Sequence, residues 1–549
     1  MREGGLTACL TYLDFFPTST QRTAVTTAAN CCRNLPSDSF PVVRDVMPTL
    51  LNVLSSNDPK VVEQGCLCVS RIVESFKNKP EKLEELIEPA MLKAVLRLLL
   101  PGTTNLIGPH IHTQFLRVLS ITCKTSPRLS AELLKMDVVD TLYQILTGIS
   151  PPHLDSTSVK MDGVLVMQAL IHRPREQVFE TLNVICEILP SVPARFPSHA
   201  DTMLSTFFEN SMTIGSQSPK AKETAEKRRS MLMDCQDQLK RFAMILLPTL
   251  TDAFSSTVNL GVRQKVLGAQ LKMLYNLESS VIEDALCTVP YASFLGTILS
   301  QKDHPSLVSL ALRCAELLLQ RLEHVYQIQF HREGVISEVV KLAEEPLSTE
   351  KANKQPRGST SNGAPAEEAP SQRSASPEDN PGSDSENQEG ADDFDDEDDQ
   401  DDYPDDDMSG SESLAFDTKL TTKMDNILKD LVTNDARAFL DVYEASETRG
   451  MRDKAMEILH QLQALAKEIK QCYDANQDGL PLFRKLASYF GGDALESITS
   501  SEILNSGVIE VLLDVFGGFQ GWFFFFFLCV CVCVLWNGLN PNANLLLYP

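Results

Sequence analysis

Two residues in the first part of this chain place hydrogen-bonding side chains in helices rich in small apolar residues. Asn30 lies in the stretch 24–32, where Val25, Ala28, Ala29 and Cys32 recur at i, i+3, i+4 and i+7. That spacing makes an apolar helical stripe and leaves Asn30 off the buried face, where its amide could donate and accept at once. Arg71 holds the matching place in residues 65–73, and its guanidinium could take a carboxylate or a peptide carbonyl. The other chemistry-bearing residues point away from catalysis. His110 and His112, beside Gly108 and Pro109, have neither a nucleophile nor metal-ligand spacing and read as polar residues at a helix start. Residues 474–479 (DANQDG) open like a calcium loop, but Lys485 stands where a bidentate glutamate is needed, so they read as an interhelical turn. There is no phosphate-cradling GxxxxGK[ST] loop. Of the fourteen cysteines, Cys9, Cys31, Cys66, Cys68, Cys123, Cys186 and Cys314 sit in apolar helical runs and read as reduced thiols packed as small hydrophobes. No metal, cofactor or disulfide is expected, and the residues left over are those of a binding surface.

The elements that carry them repeat. Residues 1–190 show one pattern about every 40 to 47 positions: an apolar helix ending in a leucine-rich run, a polar turn, then a second helix rich in small residues. Residues 5–14 turn at Pro17 into 24–32, and residues 47–54 turn at Asp58 and Pro59 into 65–73. In the same way 91–100 precede 115–123, 138–146 precede 178–189, and 293–299 turn at His304 and Pro305 into 307–319. A unit of this size cannot bury its apolar face alone, so stacked neighbours must bury it, giving an all-α solenoid. No β-branched alternation is long enough for a sheet. The chain starts inside a repeat, without a signal-peptide core or a polar capping helix, so the array is expected to be truncated at its N-terminus.

Charge divides the chain. Its 549 residues carry a net charge of −25, concentrated at 392–407, where twelve of sixteen residues are carboxylates. Such a block opposes nucleic-acid binding, and no basic strip longer than 220–229 offsets it. Residues 347–413 are Ser-, Pro-, Gly- and acid-rich, too poor in apolar groups to offset chain entropy, and are expected to be disordered. The composition thus divides the chain into repeats at 1–190, a loop and solvated charged helix at 191–240, further repeats at 241–346, the acidic linker at 347–413 and a helical repeat segment at 414–516. The motif at 333–336 (EGVI) recurs in kind at 506–509 (SGVI). Residues 517–549 include five consecutive phenylalanines and alternating Cys-Val. That apolar run is shorter than the ~20 residues a membrane helix needs, and T-tract and TG-repeat codons would encode it, so it reads as translated intron rather than an anchor.

Residues 6–22 (LTACLTYLDFFPTSTQR), 167–187 (MQALIHRPREQVFETLNVICE) and 330–335 (FHREGV) resemble the armadillo-repeat region of HECT-type E3 ubiquitin ligases of the ubiquitin-fusion-degradation and thyroid-receptor-interacting-protein group. The likeness covers most of 1–346 and, more weakly, 414–516. It implies a right-handed armadillo/HEAT-like solenoid that recognises degron-bearing or ubiquitinated substrates and ubiquitin itself, in the cytoplasm and nucleus. Ubiquitin would be received from an E2 enzyme through a HECT domain, and substrates would pass to the proteasome. No HECT-like cysteine context is found, so catalysis by this polypeptide alone is not expected. A tryptophan-rich WWE module is missing too, the only tryptophans being Trp522 and Trp536, which favours the ubiquitin-fusion-degradation branch. In armadillo arrays the third helix of each repeat lines a groove and an Asn there holds an extended peptide, an expectation that maps onto Asn30, with Arg71 beside it. The rival is a non-enzymatic armadillo scaffold or transport adaptor of the same fold, binding extended peptides.

Overall fold

Proline and polar caps punctuate the chain into helices. Pro59, Pro80, Pro89, Pro109, Pro127 and Pro305 each open a helix, where the missing N–H would have had no partner anyway. The Asp58 carboxylate accepts from the Val61 amide at 3.0 Å, and the Asn259 side chain does the same for Val262. The computed structural model describes residues 4–100, 106–151, 163–193, 214–215, 219–287, 289–347, 411–446, 449–475, 477, 479–490 and 498–516. The disorder expected between 348 and 410 and the aberrant tail expected at 517–549 lie outside the described residues.

The helices run in chain order as α1 (Gly5–Leu10), α2 (Thr18–Cys31), α3 (Phe40–Val53), α4 (Pro59–Phe76), α5 (Pro80–Leu86), α6 (Pro89–Leu99) and α7 (Pro109–Thr125). Next come α8 (Pro127–Lys135), α9 (Val138–Thr147), α10 (Gly163–His172), α11 (Arg175–Ile188), α12 (Pro219–Met233), α13 (Gln236–Ser255) and α14 (Leu260–Asn276). Then follow α15 (Ser279–Leu286), α16 (Tyr291–Leu299), α17 (Pro305–Arg321), α18 (Glu323–Arg332) and α19 (Val335–Ala343). The last are α20 (Ser411–Ser446), α21 (Arg449–Asp474), α22 (Leu480–Ser488), α23 (Ser500–Asn505) and α24 (Val508–Phe516). Among the described residues the only strands are Val192–Pro193 and Ile214–Gly215, paired in parallel.

The protein is an all-α solenoid. Helices α2, α4, α7, α11, α14 and α17 stack each on the next, while α1, α3, α6 and α9 form a second row that continues into α13. Each full repeat adds a third helix to the two that periodicity reveals: α5, α8, α12, α15 and α18 precede α6, α9, α13, α16 and α19. Pieces as short as α5 carry too few turns for a 3.6-residue stripe to stand out. One continuous apolar cluster runs from Leu6 to Tyr443, including Val69, Phe115, Leu182, Phe242, Leu271 and Leu310.

Contacts divide the chain into one unit of residues 1–345 and 427–549 and another, Pro346–Asn426. Of the second, the described parts are Pro346, Leu347 and the start of α20. Within the first, the later part of α20 buries Leu428, Val432, Ala436, Phe439 and Tyr443 in the main cluster, and Arg437 Nε donates to the Ala343 carbonyl at 2.9 Å. That part of α20 therefore serves as the long final helix of the repeat that α18 and α19 begin. A smaller cluster, with Leu465, Ile469, Leu486 and Val511, joins α21, α22 and α24.

The recurring glycine motif has a single geometric cause. Gly334 (φ 75°) joins α18 to α19 and Gly507 (φ 74°) joins α23 to α24, both in the left-handed region where a side chain is strained. Arg332 and Glu502 tie these two junctions together: Nε lies 2.9 Å from Oε1, and the side chains are 10% and 2% exposed. Glu502 also accepts from the Thr499 amide while Thr499 Oγ1 accepts from Glu502 N, a complete capping box, and the Thr499 hydroxyl donates to the Arg332 carbonyl at 2.9 Å.

Candidate peptide-binding face

Asn30 is the penultimate residue of α2 and is exposed, with no side-chain hydrogen bond among the described residues. Arg71 is half-buried on α4 and donates Nη1 to the Ala29 carbonyl at 2.6 Å. The two residues expected to grip a ligand are therefore brought together, Arg71 holding the residue just before Asn30. In the free array Arg71 is already engaged and ties one repeat to the next, while the Asn30 amide faces solvent.

The bond from Arg71 is one rung of a ladder. Arg97 donates to the Leu54 carbonyl, Arg128 to Glu84, Arg321 to Leu274 and Tyr275, and Arg437 to Ala343 and Glu345. Each cation reaches a carbonyl at or near a helix C-terminus, where the last four acceptors have no intrahelical donor and the helix dipole is negative. Two rungs are buried. Lys272, 0% exposed, gives Nζ to the Cys186 carbonyl at 2.6 Å. Arg228 reaches the Cys123, Lys124 and Glu187 carbonyls together, capping both α7 and α11. Burial depresses its basicity, which the Glu187 carboxylate partly offsets. The charged helix α12 is thus not wholly solvated, as its composition suggests: Arg228 is 6% exposed.

The arrangement at Asn30 and Arg71 recurs at Asn276 and Arg321. Arg321 of α17 donates Nη1 to the carbonyls of Leu274 and Tyr275, the two residues before Asn276 of α14. Sequence reasoning missed Asn276, Lys272 and Arg313. Their signal was a basic residue and an amide four positions apart, Lys272 and Asn276, in a helix otherwise buried along most of its length.

His112 sits in the first turn of α7, with Nε2 3.1 Å from the Leu99 carbonyl and Nδ1 buried without a partner. Burial pulls its pKa below 6.5; the Leu99 bond opposes this and the Arg173 charge adds to it. A depressed native pKa gives stability that is complete above 6.5 and is lost as pH falls through the native value. His112→Gln is expected to flatten that acid-side loss, read as thermal midpoints between pH 7 and 5. Identical slopes in both proteins would exclude His112 as the titrating group.

Among the described thiols Cys9, Cys31 and Cys472 are half-buried, Cys287 is exposed and the others face the core. Cys66, Cys68, Cys123, Cys186, Cys235 and Cys314 are buried, and burial pushes Cys123 and Cys314 up to about 12. Among the described residues, no group of His, Cys, Asp and Glu could hold a metal, and no helix is long and apolar enough to cross a membrane. The turn after α21 is described only in part, since Asn476 and Asp478 lie outside the described residues.

No protein-family model matches the chain. E3 ubiquitin-protein ligase UPL3 of Arabidopsis thaliana is 32% identical over 354 residues, covering 62% of this chain and 18% of the relative. E3 ubiquitin-protein ligase TRIP12 of Danio rerio is 28% identical over 390 residues, covering 63% and 19%. The chain is similar to E3 ubiquitin ligases. A probable ubiquitin fusion degradation protein of Schizosaccharomyces pombe is 29% identical over 340 residues, covering 62% of this chain and 18% of its own length. The chain thus spans about a fifth of the length of the curated relatives it matches.

Proposed function

We propose that this array is the substrate- and ubiquitin-recognition portion of a HECT-type E3 ubiquitin ligase, working in protein ubiquitination in the cytoplasm and nucleus. The observation that carries the reading is the similarity to E3 ubiquitin-protein ligases over about 62% of the chain. A helical array with an exposed, unpaired amide at Asn30 supports it, because recognition of an extended degron needs a donor and an acceptor side by side on a rigid face. Thioester chemistry belongs to a domain other than these repeats. Charged E2 enzyme, and later the proteasome, would engage the ligase away from this face.

Calorimetry tests the reading. A ubiquitin molecule fused to a short unstructured peptide is expected to bind the purified chain. Asn30→Ala should weaken that binding by about 1–3 kcal/mol with an unchanged helical spectrum, since it removes hydrogen bonds made only in the complex. Arg71→Ala should instead lower the thermal midpoint, because its partner is Ala29. If the chain binds the peptide equally well without ubiquitin, the transport-adaptor reading takes over. If it binds neither, both readings are wrong.

A further inference from the structure

The Asn276 position is occupied. Beyond α11 the chain leaves Leu189 in an extended conformation and crosses the stacked helices α14 and α17. Asn276 Nδ2 donates to the Pro190 carbonyl at 3.0 Å, Lys272 Nζ lies 3.5 Å from the Leu189 carbonyl, and Arg313 Nη2 lies 3.3 Å from the Pro193 carbonyl. Between these anchors Val192 is 5% exposed and joins the main apolar cluster, while Ile214 and Gly215 pair alongside Val192 and Pro193. Three side chains of two stacked helices thus hold three carbonyls of one extended segment, and an apolar side chain fills the space between. This is how such a face would hold a ligand, and here the strand belongs to the same chain.

The fit is incomplete in one respect. The Asn276 amide gives its N–H groups to Pro190 and, at 2.9 Å, to the Lys272 carbonyl, but its Oδ1 is buried with no partner. A carbonyl oxygen enclosed without a donor is destabilising. Pro190 and Pro193 have no N–H to offer it, so the residue that meets Asn276 can accept but not donate.

We propose that the face formed by Asn276, Lys272 and Arg313 is a binding groove for an extended peptide, and that the segment Leu189 to Pro193 fills it as an internal surrogate. The partner is a peptide in extended conformation with a non-proline residue at Asn276, whose N–H would satisfy Oδ1, and a β-branched apolar residue in the Val192 pocket. This holds whether the array serves a ligase or an adaptor, and it assigns a second groove apart from Asn30.

The test uses the full chain and a fluorescein-labelled peptide of residues 188–195 with alanine replacing both prolines. Val192→Asp should release the internal segment, so anisotropy should show the peptide binding at least tenfold tighter to this variant than to the unaltered chain. Adding Asn276→Ala should reverse most of the gain, and the proline-containing peptide should bind more weakly than its alanine counterpart. Equal affinity for the unaltered chain and the variant would overturn the proposal. So would melting of the array in Val192→Asp, because the segment would then be part of the core rather than a ligand. In the unaltered chain, a saturating excess of the alanine peptide should accelerate hydrogen exchange at Ser191 and Val192, and unchanged exchange there would also overturn it.

Discussion

Replacing Arg228 with leucine is expected to destabilise the array by about 3–5 kcal/mol, more than any other single substitution in the ladder. The guanidinium is 6% exposed and serves the carbonyls of Cys123, Lys124 and Glu187, so its loss leaves acceptors at two helix ends without donors at about 1–3 kcal/mol each. Leucine keeps part of the apolar stem but offers no hydrogen bond, and lysine, with one compact charge, cannot span two helix termini as a planar fork does. Urea unfolding should show Arg228→Lys recovering less than half of the loss. Recovery to the original midpoint would mean that charge alone, rather than the fork, holds α7 and α11.

The second large effect is expected at Glu502. Glu502→Leu should cost about 3–5 kcal/mol locally, because it removes a 2%-exposed carboxylate and breaks its buried ion pair with Arg332, which is itself 10% exposed. It also takes away half of the capping box at Thr499. The damage should be confined to where residues 498–516 meet the α18–α19 junction. Hydrogen exchange is therefore expected to quicken across α23 and α24 while α2 to α11 stay protected. Uniform loss of protection along the array would show that the C-terminal helices are not a separate cooperative unit.

The repeat was legible because its signal is local. Val25, Ala28, Ala29 and Cys32 make a helical stripe without help from any other segment, and all four are buried in α2 or at its cap. The likeness of 333–336 to 506–509 was legible for the same reason: a left-handed turn calls for glycine at one position. What pattern could not show are relations between distant residues. Arg228 lies in a strongly charged helix whose composition reads as solvated, and only the stacking of α7 and α11 makes it a cap for both. The role of α20 was hidden by the long stretch that separates it from α19. Asn276 was hidden because nothing in the sequence says that Pro190, 86 positions away, lies against it. Arg71 shows the limit from the other side, since its type predicted a carbonyl partner but not that Ala29 of the same chain would supply it.

The ladder also determines how the array would respond to force. Its rungs join residues 41 to 47 positions apart at Arg71, Arg97, Arg128, Arg228 and Arg321, so a pull on the two ends loads them in series. Each rupture would free about one repeat, some 150 Å of extended chain at roughly 3.3–3.6 Å per residue. Where Arg228 clamps two helices with one side chain, two repeats would give way together and that step would be twice as long.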